Sequence, residues 1–306
     1  MNLLEQTKEL CRLYNIKPAR SKGQNFLIEE KIYDDIVAAA DLKPDDIVLE
    51  VGPGLGFLTA KLAARVKKVI AVELDDGLVE ALKIRLQSLG VNNVEVINED
   101  ILKISNNQYP ITNKIPNSKL QTKKSDDVLR VARYELRDYK IVANLPYNIT
   151  SIFLRKFLET EIKPQFMVLM LQKEVAERIC ALPGEMSLLA VSVQFYAKPE
   201  ILQIVPKENF WPEPEVASAV VKIVTNPPNP LYQGGKIEKD FFRLVKFGFS
   251  AKRKMLKNNL AAGLRISQAD AENKITKAGF NPKIRAQELS VEDWFKLGGE
   301  FRKNIV

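Results

Sequence analysis

Short apolar runs alternate with amphipathic segments along the first two thirds of the chain. The runs at 46–51, 68–73, 94–97, 141–143 and 165–171 read as strands, and those at 46–51 and 165–171, apolar almost throughout, as buried ones. Between them, residues 30–41, 57–64, 75–89, 149–158 and 172–178 carry apolar positions at helical spacing. Further helices are expected over 3–14 and 187–197, and closing strands over 201–205 and 219–224. Strand and helix in alternation predict an α/β fold, a mainly parallel sheet with helices on both faces. Asn226-Pro227-Pro228-Asn229-Pro230, followed by Tyr232-Gln233-Gly234-Gly235, reads as a linker. Beyond it Phe241, Phe242, Leu244, Val245, Phe247, Leu256, Leu260, Leu264, Trp294 and Phe295 fall at helical spacing. Two domains are expected, residues 1–226 and a small all-helical one over 227–306. A polar stretch at about 104–130, dense in Asn, Lys and Ser, has too little apolar content for a core and reads as a surface insertion.

At the strand ends the sequence changes character. The first run is followed by Gly52-Pro53-Gly54-Leu55-Gly56, so strand, glycine turn and helix make the nucleotide-site arrangement of an open α/β sheet. Phe57 stands where a dinucleotide fingerprint needs its third glycine, and no phosphate-loop ending follows. With Glu50 in front, the turn suits a cationic, phosphate-free ligand; a purely structural turn is the plainer alternative. The next run ends in Glu73, a position from which a carboxylate accepts from ribose hydroxyls. The third leads to Asp100, placed to accept from an adenine amine, with Ile101 against the ring. Single carboxylates at strand tips are usually just solvated; two in succession after a glycine turn are uncommon.

The run 141–143 stops at Asn144-Leu145-Pro146-Tyr147. The Asn144 side-chain carbonyl is one acceptor. Because Leu145 precedes proline and is pushed to extended geometry, its backbone carbonyl is a second one aimed the same way. Two adjacent acceptors suit a planar amine with two N–H groups, such as that of adenine, with Tyr147 stacking on the ring. An Asn-Pro type turn with a core tyrosine fits the same residues. Three further segments carry similar pairs of readings. The loop holding Arg20, Lys22, Gln24 and Asn25 lies over a ligand or is a basic linker. Phe210, braced by Pro206, Pro212 and Pro214, is a stacking surface or a hydrophobic plug. Lys252, Arg253, Lys254 and Lys257, with Asn258 and Asn259, form a phosphate-contacting patch or a solvated basic helix.

Composition narrows the chemistry. There is no histidine, which removes Ser-His-Asp and Cys-His catalysis and histidine metal sites, leaving carboxylates, amides, lysines, tyrosines or a bound cofactor. Cys11 and Cys180 form no Cys-x-x-Cys pair, so neither a disulfide framework nor a zinc site is expected, and no metal. A net charge of +8 favours a polyanionic partner. No apolar run is long enough for a membrane span and no signal-peptide core is present, so a cytoplasmic location is expected.

Glu-x-Gly-x-Gly-x-Gly from Glu50, then Glu73, Asp100 and Asn-Leu-Pro-Tyr, resembles the class I S-adenosylmethionine-dependent methyltransferases, whose sheet is Rossmann-like. In detail the chain is similar to the ribosomal RNA adenine N6,N6-dimethyltransferase family. The likeness includes Gly-Gln-Asn-Phe-Leu at Gly23 to Leu27 and the Phe-x-Pro-x-Pro-x-Val-x-Ser stretch from Phe210 to Ser218. It implies that Gln24, Asn25, Leu27, Gly52, Gly54, Glu73, Leu74, Asp100, Ile101 and Asn144 hold S-adenosyl-L-methionine. Asn144, Leu145, Pro146, Tyr147 and Phe210 would hold the target adenine, and Arg20, Lys22, Lys252, Arg253, Lys254 and Lys257 the RNA. The product implied is dimethyladenosine at two adjacent sites near the 3′ end of small-subunit ribosomal RNA, made by a monomer acting on an immature 30S-type particle. A large-subunit enzyme conferring macrolide resistance, a DNA adenine methyltransferase and a non-catalytic ribosome-assembly or transcription factor are the alternatives. Two departures stand out: the stretch between Asp100 and Asn144 is longer than the family's usual spacing, and Ala217 occupies a position often acidic in relatives.

Overall fold

The apolar runs assemble into one seven-stranded sheet in a computed structural model that describes residues 1–18, 24–104, 139–160, 162–226 and 236–305. Arg20, Lys22, the polar insertion beyond Ile104 and the linker from Pro227 lie outside the described residues. Two compact units divide the chain: Met1–Lys173 with Glu200–Thr225, and Glu174–Pro199 with Asn226–Val306.

The sheet contains β2 (Ile47–Val51), β3 (Lys68–Glu73), β4 (Val94–Asn98), β5 (Tyr139–Asn144), β6 (Phe166–Gln172), β7 (Ala197–Val205) and β9 (Ser218–Thr225), in the order β4-β3-β2-β5-β6-β9-β7. Strands β4 to β6 of that order run parallel, whereas β9 runs antiparallel to β6. The chain moves outward from β2 through β3 to β4, then returns to lay β5 on the other side of β2. The order therefore reverses between β2 and β5, and such a reversal opens a crevice beyond the strands' carboxyl ends. Register brings those ends level: Val51 faces Val72, Glu73 faces Asn98, and Asn144 faces Met170.

Helices α1 (Leu3–Leu13), α2 (Glu30–Ala39), α3 (Phe57–Ala63), α4 (Asp76–Ser88) and α5 (Thr150–Leu158) belong to the first unit. A capping box between Asn2 and Glu5 starts α1, and Asp75 caps α4 by accepting from the N–H groups of Gly77 and Leu78. Ile36, Leu58, Leu62, Leu82 and Leu86 from these helices share one buried cluster with Val48, Val69, Val142 and Val168 of the sheet. Covering of this kind explains why the central strands β2, β3, β5 and β6 are buried almost throughout, whereas the edge strand β7 alternates.

Strand β5 begins two residues before the expected run. Lys140 enters it because its ammonium is buried against Asp46 Oδ2, 2.5 Å away, and also donates to the Asp41 carbonyl. A hydropathy pattern cannot register a paired lysine inside a strand. Equally unforeseen are the two-residue strands β1 (Phe26–Leu27) and β8 (Phe210–Trp211), which pair antiparallel with Leu27 opposite Phe210.

The second unit is helical, with α7 (Leu188–Tyr196), α8 (Lys236–Gly248), α9 (Leu256–Leu264), α10 (Gln268–Lys277) and α11 (Val291–Phe301), preceded by α6 (Lys173–Ile179) at the boundary. Residues 174–199, expected with the first domain, group here because Ala190 and Val191 share an apolar cluster with Phe241, Leu244, Trp294 and Leu297. The Phe195 ring lies 4.8 Å from that of Phe241 and 5.5 Å from that of Phe295. Packing around α8 is close: a Cβ added to Gly248 would sit 2.2 Å from the Trp294 ring, so only glycine fits there.

Candidate active site

The site is built at the reversal point. Gly52, Gly54 and Gly56 all have positive φ, +67°, +56° and +78°, which explains the alternating glycines of the turn. Gly52 donates its N–H to the Val72 carbonyl, and a Cβ on it would lie 3.7 Å from the Asn144 carbonyl oxygen and from Pro146. The glycine turn and the Asn-Leu-Pro-Tyr segment are therefore adjacent. A Cβ on Gly54 would meet the Phe26 ring at 3.3 Å, which brings the N-terminal loop against the same turn. Through the β1–β8 pairing that loop is joined to the proline-braced segment, and Tyr33 donates its hydroxyl to the Leu27 carbonyl at 3.1 Å.

Glu73 is buried and accepts three backbone N–H groups: Leu74 at 2.9 Å and Asp75 at 3.0 Å on Oε1, and Gly54 at 3.2 Å on Oε2. Burial raises its pKa, while these bonds pull it down and nearby Asp75 pushes it up. A carboxylate has about four acceptor positions, so among the described residues one is left on Oε2 for a ligand hydroxyl. Beside it the Leu74 side chain stands 65 % exposed, an apolar surface at a polar strand tip. Asp100 accepts the Leu102 N–H at 2.9 Å on Oδ1 and keeps Oδ2 3.9 Å from the Lys103 ammonium. Ile101 is buried. Gln24 reaches across to donate to Asp75 Oδ2 at 3.4 Å, and Asn25 is half-buried.

Asn144, half-buried, ends β5, and Leu145 donates its N–H to the Met170 carbonyl while burying its side chain. The Tyr147 hydroxyl is 2.7 Å from Ser218 Oγ. Burial raises the phenol pKa and the Ser218 hydrogen bond lowers it. Phe210, read from sequence as a stacking surface or a plug, is only 3 % exposed and belongs to the main cluster with Phe26 and Leu27. In this arrangement its ring presents no open face; it braces the loop that covers the glycine turn.

Deeper in, Glu50 is 1 % exposed, and burial, with Glu73 adding repulsion, pushes its pKa up to about 8. Thr59 lies close enough to favour the ionised form, yet among the described residues neither its hydroxyl nor Glu50 Oε2 has a hydrogen-bond partner of ordinary geometry. This buried carboxyl oxygen lacks a partner two residues before the glycine turn, and a cationic ligand seated there would favour its ionised form. Ser218 and Lys156 escaped the sequence reading of roles. Lys156 donates to the Leu102 carbonyl at 2.7 Å, and burial lowers its pKa while Asp100 raises it. Neither residue carries a periodicity or spacing signal that would single it out.

In the second unit Lys252, Arg253 and Lys254 are exposed on a loop anchored by buried Asn259, whose amide donates to the carbonyls of Gly248 (2.6 Å) and Ala251 (3.0 Å). Lys257 is instead paired with Glu272 Oε2 at 2.7 Å. Among the described residues no cluster of His, Cys, Asp or Glu could hold a metal, and no helix is long and apolar enough to cross a membrane.

A reversed parallel sheet with a glycine turn, two carboxylate tips and an amide-proline-aromatic tip defines a Rossmann-like methyltransferase. The family model described as ribosomal RNA adenine dimethylase matches residues 16–303, and the chain belongs to that family. It is 44% identical over 303 residues, 99% of this chain and 95% of the other, to a protein of Dehalococcoides mccartyi (strain CBDB1) named ribosomal RNA small subunit methyltransferase A. A protein of the same name from Alkaliphilus metalliredigens is 37% identical over 96% of each chain. Among solved structures, a dimethyladenosine transferase from Plasmodium falciparum is similar with TM-score 0.68 and 28% identity, covering 90% of this chain and 97% of that one. The 23S rRNA methyltransferase ErmE gives TM-score 0.67 and 25% identity, covering 90% and 99%.

Proposed function

We propose that this chain dimethylates the N6 amines of two adjacent adenosines near the 3′ end of small-subunit ribosomal RNA, with S-adenosyl-L-methionine as methyl donor. It acts as a cytoplasmic monomer on an immature small ribosomal subunit. The observation that carries the reading is the adjacency of the Asn144 backbone and Pro146 to Gly52, which sets the strand tip that bears the Asn144 amide beside the glycine turn. The names of the relatives above favour the small-subunit substrate.

The residues present fit the cofactor. The open acceptor position on Glu73 takes a ribose hydroxyl, exposed Leu74 and Asp100 take the adenine, and the glycine turn over the orphaned Glu50 oxygen takes the cationic end. Gln24 and Asn25 close over it from the N-terminal loop. When bound, the sulfonium supplies an already activated methyl group, so no metal or covalent nucleophile is needed.

The chain's own task is orientation. Asn144 and the Leu145 carbonyl accept the two hydrogens of the target amine, which turns the nitrogen lone pair out of conjugation with the ring. Tyr147 stacks on the extruded base, and extrusion costs less from an unpaired loop than from a duplex. After one transfer a single amine hydrogen is left, so the second round requires the amine to rotate between acceptors. Residues 227–306, with Lys252, Arg253 and Lys254, hold RNA phosphates. The test is transfer of radiolabelled methyl to immature small subunits and, separately, to large-subunit RNA, by wild type and Asn144→Ala. Dimethyladenosine confined to the small-subunit RNA and lost in the variant supports the proposal; label in large-subunit RNA alone, or none in either, overturns it.

A further inference from the structure

We infer that Ser218 is a positioning residue for methyl transfer, holding the Tyr147 ring where a target adenine stacks on it. The inference rests on the adenosine-methylation reading above and deepens it. Tyr147 opens a short 3-10 turn, Tyr147–Ile149, that follows Pro146 and carries no side-chain cap. The turn is closed by a long bond, 3.3 Å, from the Ile149 N–H to the Pro146 carbonyl. The turn's backbone does not by itself fix the Tyr147 ring, since χ2 of an aromatic ring is broad. Its far end is tied instead: the phenol oxygen lies 2.7 Å from Ser218 Oγ.

Ser218 is a rigid anchor. It is fully buried, starts β9 and faces Gln172 of β6, and the preceding Ala217 carbonyl accepts the Lys173 N–H at 2.9 Å. Asn144 is referenced to the same strand, because it faces Met170 of β6. The group that accepts the amine and the group that fixes the stacking ring are thus both registered against β6, two residues apart along it. Sheet geometry then sets the separation between acceptor and platform, and a misplacement of about 1 Å at a reacting centre costs about 10²-fold in rate. A tyrosine that only filled space would need no hydroxyl, and a buried serine hydroxyl needs a partner, which Tyr147 supplies.

The experiment is a double-mutant cycle in the full chain with Tyr147→Phe, Ser218→Ala and the pair, measuring kcat and KM on immature small subunits, with S-adenosylmethionine affinity by calorimetry. Each single change is expected to lower kcat about tenfold, cofactor affinity staying within about twofold, and the pair to do no worse than either alone. An unchanged kcat in Tyr147→Phe, losses that multiply in the pair, or a loss carried by cofactor affinity overturns the inference. Should Ser218→Ala melt below the assay temperature, Tyr147→Phe decides by the same kcat and affinity criteria, since it keeps the ring. Full activity of Asn144→Ala overturns the reading of the site and this inference with it. Loss in Asn144→Ala beside wild-type kcat in Tyr147→Phe overturns the inference alone.

Discussion

The strand tips and the basic loop treat their polar groups in opposite ways. At the tips the groups are sunk and held: Glu73 by three backbone N–H groups, Tyr147 by Ser218, Asn144 by the register of β5 on β6. On the loop, Lys252, Arg253 and Lys254 stand exposed, and what is fixed is the backbone beneath them, through the Asn259 amide. The difference follows from what each region has to meet. A reacting nitrogen must be in line to a fraction of an ångström, whereas a phosphate attracts a cation over many angles and distances. Changes at the tips should therefore appear in kcat, and changes on the loop in affinity and its salt dependence.

The largest expected effect tests the first half of that contrast. Asn144→Ala removes one of two acceptors and should lower kcat by about 10²–10³-fold, with RNA affinity within about twofold, as for removal of one preorganised hydrogen-bonding group elsewhere. Single-turnover methyl transfer at saturating RNA measures it; a change in KM alone would erase the distinction between the regions.

Next in size is a pH effect on stability. Glu50 has a folded pKa of about 8 against an ordinary value of 4.5, so between those values the native state holds a proton that the unfolded chain has released. Stability of the cofactor-free protein should fall as pH rises through that window and level off above it. Glu50→Gln should flatten the fall by roughly a few kcal/mol, leaving the smaller part due to Glu73, whose pKa is also raised. Denaturant melts of both proteins at pH 5 and pH 8.5 give the comparison.

Most of the fold and much of the site are legible in the chain's own pattern. Buried strands announce themselves as unbroken apolar runs, and Gly52, Glu73, Asp100 and Asn144 each stand at a run's end, where chemistry and chain direction coincide. Groups whose role depends on a partner far along the chain are not legible. Lys140 looks like a strand breaker until Asp46 is placed beside it, and Ser218 looks like the last letter of a motif until Tyr147 reaches it. Phe210 is a case the sequence leaves open between stacking surface and plug. In the structure it pairs with Leu27 and is buried as the plug, and a two-residue strand leaves no periodicity from which to choose between the two. The grouping of residues 174–199 with the helical unit is hidden for a related reason: the apolar face of α7 shows that it must pack, not against what.

The loop half of the contrast predicts a smaller and different response. Replacing Lys252, Arg253 and Lys254 together by alanine should leave kcat at saturating RNA near wild type. It should also reduce the slope of log affinity against log salt by about 2–3, since each cation neutralises one phosphate. Lys257 sharpens the point, because sequence alone groups it with those three. Its ammonium is already committed to Glu272 and its side chain is only 19% exposed. Lys257→Ala should therefore leave the salt slope unchanged and lower stability by about 0.5–1 kcal/mol, the scale of a partly exposed ion pair. A slope reduced by close to one in this variant would show that the pair opens to take a phosphate, and the boundary between held and presented charge would then run through α9 itself.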